Sequence, residues 1–350
     1  MKLSVIVPVY NMAAEGKLQY CLESLVHQTF ADMEIIAVND ASTDNSLEIL
    51  RQYEKEYPGR VKVITYPVNR RQGGAKNEGL KAAAGDWIGF IDSDDWVTPD
   101  FYEKLLKRAE ETGADMTGCD YNLVSEHTFE VGRIVQNNTP EQTGILDEAK
   151  HKSLLMRSGS MVIKIYQAAV IRENRLDFPE GIFYEDNCAG PVWSLYFKHF
   201  ERVEEPMYYY YQHDTSTVHY ISEAKCRDRM KAAELFYEKC LAGGFLETYR
   251  EEIEYRFAEL YYVITLFSYM QGVKKPSLGF VKELRAGVEK YFPDFEKNRY
   301  YIERTGAEEK RLIAMQGKSA FRFYWYYRAQ LLKRSWAARG HARNGEKCER

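Results

Sequence analysis

Hydrophobic and polar positions over residues 3–124 follow two alternating periods. Short apolar runs without polar alternation predict buried strands, whereas apolar residues spaced by three and four predict amphipathic helices. The predicted strands cover 4–9, 34–38, 61–66, 87–91 and 116–124, and the predicted helices between them cover 17–28, 44–57, 74–84 and 99–112. This order predicts an α/β fold with a mainly parallel sheet covered by helices.

The remainder of the chain has a weaker pattern. Residues 125–160 are predicted to be irregular, with a hairpin within 127–135 and a short helix over 147–156. Residues 161–222 are predicted to hold short strands and one helix near 187–199, and the pattern from about 222 is helical. The expected organisation is therefore a domain of residues 1–221, a helical C-terminal region of 222–343 and a disordered tail of 344–350.

Composition narrows the function classes. The 350 residues carry 48 basic and 52 acidic side chains, and this net charge of −4 argues against nucleic acid as a partner, which requires a basic excess. The six cysteines form no C-x-x-C pair, so reduced thiols are expected rather than a disulfide framework or a zinc site. Residues 3–9 are too short for a signal peptide and no apolar run is long enough for a membrane span, so a cytoplasmic protein is expected.

Three carboxylates follow the fourth predicted strand. Asp92, Asp94 and Asp95 repel one another there, and a divalent cation would remove the conflict. Oxygen ligands suit Mg²⁺ or Mn²⁺, which commonly also bind a substrate diphosphate. The alternative is a capping turn before the next helix, since Asp and Ser favour loops. The position at a strand end favours the ligand site, because ligands of doubly wound sheets bind beyond the carboxyl ends of strands.

A second polar segment, residues 39–44, follows the second predicted strand. Ser42 or Thr43 is expected to cap the helix that comes next, which leaves Asp40 unexplained. A carboxylate at this strand end can accept a hydrogen bond from the imide N–H of uracil or from a ribose hydroxyl.

A third segment, residues 69–79, combines cations with glycines ahead of a helix. Arg70, Arg71 and Lys76 suit a diphosphate, and Gly74 would let the backbone approach it closely. Neither G-x-G-x-x-G nor G-x-x-x-x-G-K-[ST] occurs here, so the dinucleotide fingerprint and the P-loop do not apply. Taken alone, the segment is equally compatible with a loop and a solvated helix turn.

Together, these segments resemble family 2 glycosyltransferases, which have a Rossmann-like nucleotide-sugar domain of the GT-A type. The resemblance is carried by residues 3–11 (Leu-Ser-Val-Ile-Val-Pro-Val-Tyr-Asn), by Asp40 and by Asp92-Ser93-Asp94, and it weakens beyond 124. It implies a nucleotide-sugar site of Pro8, Val9, Tyr10, Asn11, Asp40, Arg70, Arg71, Gly74, Lys76, Asp92 and Ser93. It also implies that Asp40 contacts uracil, that Asp92 faces the ribose and diphosphate, and that Asp94 binds the metal, with Asp95 as the alternate.

The chain departs from the family pattern at two of these positions. The family often has Asp where this chain has Asn39, and Arg where it has Lys76. Nucleotide contact is expected to survive both changes.

The segment Phe183-Tyr184-Glu185-Asp186-Asn187 resembles a Glu-Asp pair that the family carries before a helix under the acceptor site. The resemblance implies that Asp186 is the base that takes the proton of the acceptor hydroxyl, with Glu185 in support. The alternative is that Asp186 caps the helix. His213, which follows a run of four tyrosines, is expected either to approach the diphosphate or the metal or to be solvated.

The resulting hypothesis is inverting, Mn²⁺- or Mg²⁺-dependent transfer of a sugar from a nucleoside diphosphate sugar, with UDP as the expected nucleotide. The expected acceptor is a saccharide or lipid-linked hydroxyl in bacterial polysaccharide or glycoconjugate assembly. Residues 1–124 would bind the nucleotide sugar, and 125–221 would form the acceptor side. A sugar nucleotidyltransferase is one alternative, although the loop after the first strand is neither glycine-rich nor basic. A non-catalytic nucleotide-sugar-binding protein is the other.

The C-terminal region adds one further feature. Between Lys310 and Arg343 there are nine Lys and Arg and no Asp or Glu, interleaved with aromatic residues. Such a helix predicts contact with an anionic membrane surface, as a lipid-linked acceptor would require, or packing on the catalytic domain or another subunit. Contact of this helix with a membrane surface would place the protein peripherally on the inner face of the cell membrane.

Overall fold

The computed structural model describes residues 2–212 and 221–345, with the backbone alone for 334–345. Within these ranges the chain divides into two compact units. The first contains the residues up to 212 together with 238–240, and the second contains 221–237 together with 241–345.

The first unit is built on one sheet, which has ten strands in the described residues. The strands are β1 (Leu3–Val9), β2 (Met33–Asn39), β3 (Val61–Thr65), β4 (Trp87–Phe90), β5 (Trp96–Val97), β6 (Met116–Val124), β7 (Arg133–Val135), β8 (Gly144–Ile145), β9 (Lys164–Gln167) and β10 (His199–Tyr211). The helices are α1 (Lys17–Val26), α2 (Ser46–Glu56), α3 (Arg71–Ala82), α4 (Phe101–Thr112), α5 (Glu148–Met156), α6 (Ala168–Glu173) and α7 (Glu185–Ser194).

The strand order is β3-β2-β1-β4-β9-β6-β10-β5, with β7 on β6 and β8 on β10. Strands β1 to β4 are mutually parallel, and β10 runs parallel to β6. The predicted α/β, mainly parallel sheet is therefore confirmed, and its helices follow the predicted order. The strand β9 lies in the segment 161–222, which was predicted to hold short strands, but its antiparallel insertion between β4 and β6 was not predicted.

The parallel strands end level with one another, which defines the edge where the site lies. Val9 of β1 is the register partner of Asn39 in β2, which in turn partners Thr65 in β3. All seven residues of β1 are buried, as a strand in the middle of a covered sheet requires. The helix α3 packs closely here, because a Cβ added to Gly79 would lie 2.4 Å from the side chain of Ile6.

Two local predictions were wrong. Residues 127–135 do not form a hairpin of their own, since Arg133–Val135 pairs antiparallel with β6. The helix predicted near 187–199 begins earlier, at Glu185, and ends at Ser194, after which His199 begins the long strand β10. The register of β10 against β6 shifts around Pro206, where proline has no N–H to donate.

The second unit is helical, as predicted for the C-terminal region. Its helices are α8 (Glu223–Ala242, with 238–240 in the first unit), α9 (Leu246–Ala258), α10 (Thr265–Gly272), α11 (Leu278–Tyr291), α12 (Arg299–Arg304), α13 (Ala307–Lys318) and α14 (Ala320–Gly345), and a π-helical stretch, Glu259–Ile264, joins α9 to α10. Large buried side chains such as Tyr262, Tyr269 and Phe280 form its core. In the described part of the chain, no helix has the length and apolar character needed to cross a bilayer.

Candidate active site

The loops after β1 and β2 are tied together at the carboxyl edge of the sheet. The Asn11 N–H donates to Ser42 Oγ at 3.1 Å, and Asn11 Oδ1 accepts from the Thr43 N–H at 2.7 Å. Neither Ser42 nor Thr43 caps α2, which corrects the sequence prediction. Instead, Asp44 Oδ1 accepts from the Ser46 N–H, in the first turn of α2, at 3.0 Å.

Four of the six non-glycine residues with positive φ in the described part of the chain lie beside the predicted site. Asn11, Ala41, Arg71 and Tyr184 have φ of 54°, 57°, 60° and 66°, the left-handed region that side chains rarely adopt. Each such residue costs on the order of 1–3 kcal/mol, and such strain persists where the surrounding contacts demand it, often at functional sites. The four positions follow β1, β2 and β3 and precede α7.

Asp40 is buried at the carboxyl end of β2, with 2% of its surface exposed. Its Oδ1 accepts from the Arg70 N–H at 2.6 Å, whereas its Oδ2 has no hydrogen-bond partner among the described residues. The buried hydroxyl of Tyr66 also has no hydrogen-bond partner among the described residues. Burial and the nearby Asp40 carboxylate raise the pKa of Tyr66. An unsatisfied buried acceptor is costly, so a ligand that donates a hydrogen bond to Asp40 Oδ2 would relieve it.

The acidic run after β4 separates into residues with different surroundings. Asp95 is almost fully buried, where Oδ2 accepts from the Tyr208 hydroxyl at 2.5 Å and Oδ1 accepts from the Tyr211 N–H at 2.9 Å. Because both oxygens are used within the protein, this geometry does not support Asp95 as a metal ligand. Ser93 is also buried, while Asp92 and Asp94 are half-buried.

Asp92 and Asp94 fit the chemistry of a divalent cation. Burial, opposed by Lys76 and reinforced by Asp94, raises the pKa of Asp92 to about 7, so its anionic form lacks compensating positive charge. Magnesium is typically bound by one or two carboxylates together with substrate phosphates. Asp92 and Asp94 could provide the two carboxylates at this edge. Among the described residues, no three His, Cys, Asp or Glu side chains form a ready cation cage. His213 lies outside those residues, and its role stays a prediction.

The cations predicted for a diphosphate mainly face partners within the protein. The Arg70 guanidinium contacts Glu78 Oε1 at 2.6 Å and Glu180 Oε2 at 2.5 Å. The Arg71 guanidinium lies 3.8 Å from the centroid of the Phe183 ring. Gly74 is buried, and a Cβ added to it would lie 2.4 Å from Arg70 Cβ, so its lack of a side chain serves packing.

The site residues predicted at the end of β1 differ in their exposure to solvent. Pro8 and Val9 are buried within β1, so only their backbone can border a ligand at this edge. Tyr10, immediately after the strand, is 46% exposed and offers an accessible aromatic ring.

Glu185 and Asp186 begin α7 and point to different surroundings. Glu185 is buried and paired with Lys76, whereas Asp186 is exposed. Tyr184 occupies the N-cap position, so Asp186 is not the cap, and Asp186 Oδ1 accepts from the Asn187 N–H at 2.9 Å. The surrounding protein atoms and the neighbouring Glu185 raise the pKa of Asp186, which favours its action as a proton acceptor near neutral pH.

Two residues beside the site were missed by the sequence reading. Tyr66 immediately follows β3, at the same edge as Asp40, and a residue at that strand end could have been listed on position alone. Tyr208 is in the middle of a strand, and its bond to Asp95 joins residues 113 apart in sequence, so no local pattern could have revealed it.

Comparison with known proteins agrees with this arrangement. The model of the family described as Glycosyl transferase family 2 matches residues 4–167. The putative glycosyltransferase EpsH of Bacillus subtilis is 32% identical over 262 residues, which cover 72% of this chain and 73% of EpsH. The uncharacterized glycosyltransferase YibD of Escherichia coli is 34% identical over 223 residues, which cover 61% of this chain and 62% of YibD, less than two thirds of that protein. The chain belongs to glycosyltransferase family 2.

Solved structures show the same fold. Residues 1–349 of S. aureus TarS, crystallised in complex with UDP-GlcNAc, superpose with a TM-score of 0.67 over 91% of this chain and 92% of that one. The sequences are 21% identical, so the likeness concerns the fold. It confirms the predicted GT-A type.

Proposed function

We propose that this glycosyltransferase transfers a sugar from a UDP-linked donor to an acceptor hydroxyl, with inversion at the anomeric carbon. The observation that carries the proposal is the pairing of two features at one sheet edge. One is the buried, unpartnered Oδ2 of Asp40, and the other is the exposed Asp186 at the start of α7.

Donor recognition depends on Asp40 and its neighbours. The imide N–H of uracil is a donor of the kind that Asp40 Oδ2 lacks. Tyr10 offers an exposed ring, and it follows Val9, the register partner of the Asn39 that precedes Asp40. A UDP-linked donor also agrees with the UDP-GlcNAc in the crystal structure of TarS.

A divalent metal, Mn²⁺ or Mg²⁺, is proposed at Asp94 and Asp92. When bound, it would neutralise charge on the departing diphosphate. Asp95 is left out of this set, because its two oxygens are already hydrogen-bonded to β10. The proposed role of Asp95 is to hold in place the loop that carries Asp92 and Asp94.

Asp186 is the proposed base. The acceptor oxygen forms its bond to the anomeric carbon while the bond from that carbon to the diphosphate oxygen breaks, and Asp186 accepts the hydroxyl proton. Attack from the face opposite the leaving group inverts the anomeric centre in one displacement. By this assignment, residues 1–124 bind the donor and 125–221 border the acceptor.

The acceptor class is proposed from the relatives. A poly(ribitol-phosphate) beta-glucosyltransferase of Bacillus spizizenii is 35% identical over 185 residues, 52% of this chain and 27% of that protein. The name of that relative supports a bacterial polysaccharide or glycoconjugate, saccharide or lipid-linked, as the acceptor here.

We also propose that α14 rests on an anionic membrane surface, which puts the enzyme on the inner face of the cell membrane. Phe321, Trp325 and Leu332 are 59%, 57% and 58% exposed, and their spacing of four and seven places them on one face of the helix. Phe323 and Tyr327 are buried on the other side. Arg322 and Lys333 lie along one side of the exposed stripe, and α14 contains no acidic residue, so its charge complements anionic lipid.

Vesicle flotation tests the membrane contact. The full chain should float with phosphatidylcholine vesicles that contain phosphatidylglycerol, and Phe321→Ser/Trp325→Ser should abolish flotation. Ile302→Ser, which removes another exposed apolar side chain of the second unit, is the control. Protein that stays at the bottom, or a dimer that the double variant dissociates, would argue for a different partner.

The proposed transfer is tested by a screen of nucleoside diphosphate sugars with and without Mn²⁺. The proposal is supported if the release of UDP requires an acceptor and is lost in Asp186→Asn, while the Asp186→Asn variant still binds UDP. Release of pyrophosphate would indicate a nucleotidyltransferase instead. Tight binding of the donor without any turnover would indicate a non-catalytic binding protein.

A further inference from the structure

The helix α3 is fastened to residues 178–185, the segment that leads into α7. The Asn77 side chain donates to the Phe178 carbonyl at 2.9 Å and accepts from the Phe178 N–H at 2.9 Å, so one amide satisfies both backbone groups. Gly73 approaches so closely that an added Cβ would lie 1.9 Å from the Pro179 carbonyl oxygen. The helix and the segment are therefore in close contact over about one helical turn, from Gly73 to Asn77.

Lys76 lies in the middle of this contact. Its Nζ donates to Glu185 Oε1 at 2.8 Å, and the two residues are 3% and 4% exposed. The ammonium also lies 5.2 Å from the centroid of the Phe178 ring. A buried ammonium needs a charged or polar partner, because it has lost its water, and Glu185 provides that partner. Lys76 thus faces the interior, where a diphosphate would not reach it.

The pair also determines the direction of the neighbouring carboxylate. Successive residues of an α-helix point about 100° apart, so Glu185 can be buried while Asp186 is exposed. The preceding residue, Tyr184, has a φ of 66°, and this strained conformation needs contacts to hold it. Anchoring Glu185 therefore anchors the first turn of α7 and the side chain of Asp186.

We propose that Lys76 is a positioning residue, which holds Glu185 so that Asp186 faces the acceptor, and that it does not bind the diphosphate. The inference rests on the proposed function, because it takes Asp186 as the base.

The same lysine has an electrostatic effect. Desolvation of the Asp186 carboxyl by the surrounding protein atoms and the Glu185 carboxylate raise the pKa of Asp186, and Lys76 opposes them. Asp92 is the other carboxylate that interacts with Asp186. Loss of the Lys76 charge should therefore raise the pKa of Asp186 further.

Four measurements on Lys76→Met, Lys76→Arg and the control Lys81→Met test the proposal. Lys81 is 64% exposed on the same helix, so its loss removes a lysine without the buried contact. Lys76→Met should lower kcat roughly 100-fold, the order expected for misplacing a reacting group by about 1 Å. It should also speed amide exchange in residues 184–192 and move the acid limb of kcat to higher pH. The Kd for UDP should stay within about threefold, and Lys76→Arg should recover most of kcat.

Two outcomes would overturn the proposal. A tenfold weaker Kd for UDP with unchanged kcat would mean that Lys76 contacts the donor. Unchanged kcat and unchanged amide exchange would mean that it positions nothing. Should Lys76→Met fail to fold, Lys76→Met/Glu185→Met removes both charges, and full kcat in that folded variant would also refute the proposal. Absence of transfer by the wild-type protein speaks against the proposed function instead, while amide exchange still tests the positioning.

Discussion

The ammonium of Lys76 lies 2.8 Å from the carboxylate of Glu185, and both side chains are almost completely buried. The pair joins α3, which follows β3, to α7, which begins with Glu185 and Asp186. A cation that the sequence associates with the donor is thereby committed to the segment that carries the proposed base. This ion pair adds to the hydrogen bonds of Asn77 with Phe178 and to the contact of Gly73 with Pro179, which join the same two segments.

The first prediction concerns the stability of this pair. Lys76→Met should lower the free energy of unfolding by about 3–5 kcal/mol, because it leaves Glu185 charged and buried. Lys76→Met/Glu185→Met should recover most of that loss, since an apolar pair of similar volume needs no charge compensation. Urea unfolding of the two variants and of Lys81→Met measures the difference. Equal losses in the single and double variants would contradict the interpretation.

The second prediction concerns the base of the nucleotide. Asp40→Asn should weaken UDP binding roughly 10- to 100-fold, because a hydrogen bond to a charged group contributes about 1.5–3 kcal/mol. Isothermal titration calorimetry measures the Kd, with Asp86→Asn, at an exposed aspartate that bonds to Lys2, as the control. Unchanged affinity of Asp40→Asn for UDP would show that Oδ2 of Asp40 does not accept a hydrogen bond from the uracil base.

The third prediction concerns pH. Asp186 must be ionised to accept a proton, and its pKa is raised by desolvation from the surrounding protein atoms and by Glu185, so kcat should rise with pH through that raised value. The acid limb should therefore lie above the usual aspartate pKa of about 3.9. Asp186→Asn should remove the limb and lower kcat about 10²- to 10⁴-fold. A limb that persists in Asp186→Asn belongs to another group.

The fourth prediction separates the two neighbouring aspartates. Asp94→Asn should raise the Mn²⁺ concentration needed for half-maximal activity, because one oxygen ligand is lost. Tyr208→Phe removes the hydroxyl that donates to Asp95, and it should lower the melting temperature while leaving the Mn²⁺ requirement near that of the wild type. Thermal unfolding and Mn²⁺ titration of activity distinguish the cases. A strong shift of the Mn²⁺ requirement in Tyr208→Phe would return Asp95 to the metal site.

The fifth prediction uses Lys164, which is buried in β9 and donates to the Ser158 carbonyl. Burial lowers its pKa to about 7, against roughly 10.4 in the unfolded chain. Between these values the unfolded state binds more protons, so Lys164 contributes a rise in stability with pH. The rise cannot exceed about 1.4 kcal/mol per pH unit.

Urea unfolding between pH 7.5 and 9.5 measures this slope. Lys164→Met should flatten it, whereas Lys81→Met, at an exposed site, should leave it as in the wild type. Identical slopes in the wild type and Lys164→Met would show that the lysine is charged in the folded state.

Predictability from the sequence differed between the fold and the site. The apolar runs from Val5 to Val124 and the helices between them could be placed, because burial imposes a period that local sequence records. The antiparallel insertion of β9 could not, since strand order depends on contacts between distant segments. In the site, Asp40 stood out as a carboxylate at a strand end, whereas Asp186, in the first turn of α7, was selected through the family resemblance of residues 183–187.

The sequence by itself determined the family, the order of strands and helices along the chain, and the acidic and polar residues of the sheet edge. Each of these is recorded in residue type and spacing. Only the tertiary structure decided which charged side chains are available to a ligand. It committed Arg70 to Glu78 and Glu180, Lys76 to Glu185 and Asp95 to Tyr208. For Lys76 and Asp95 the reason is that a buried charge needs a partner. Their partners are brought together by folding rather than by proximity along the chain.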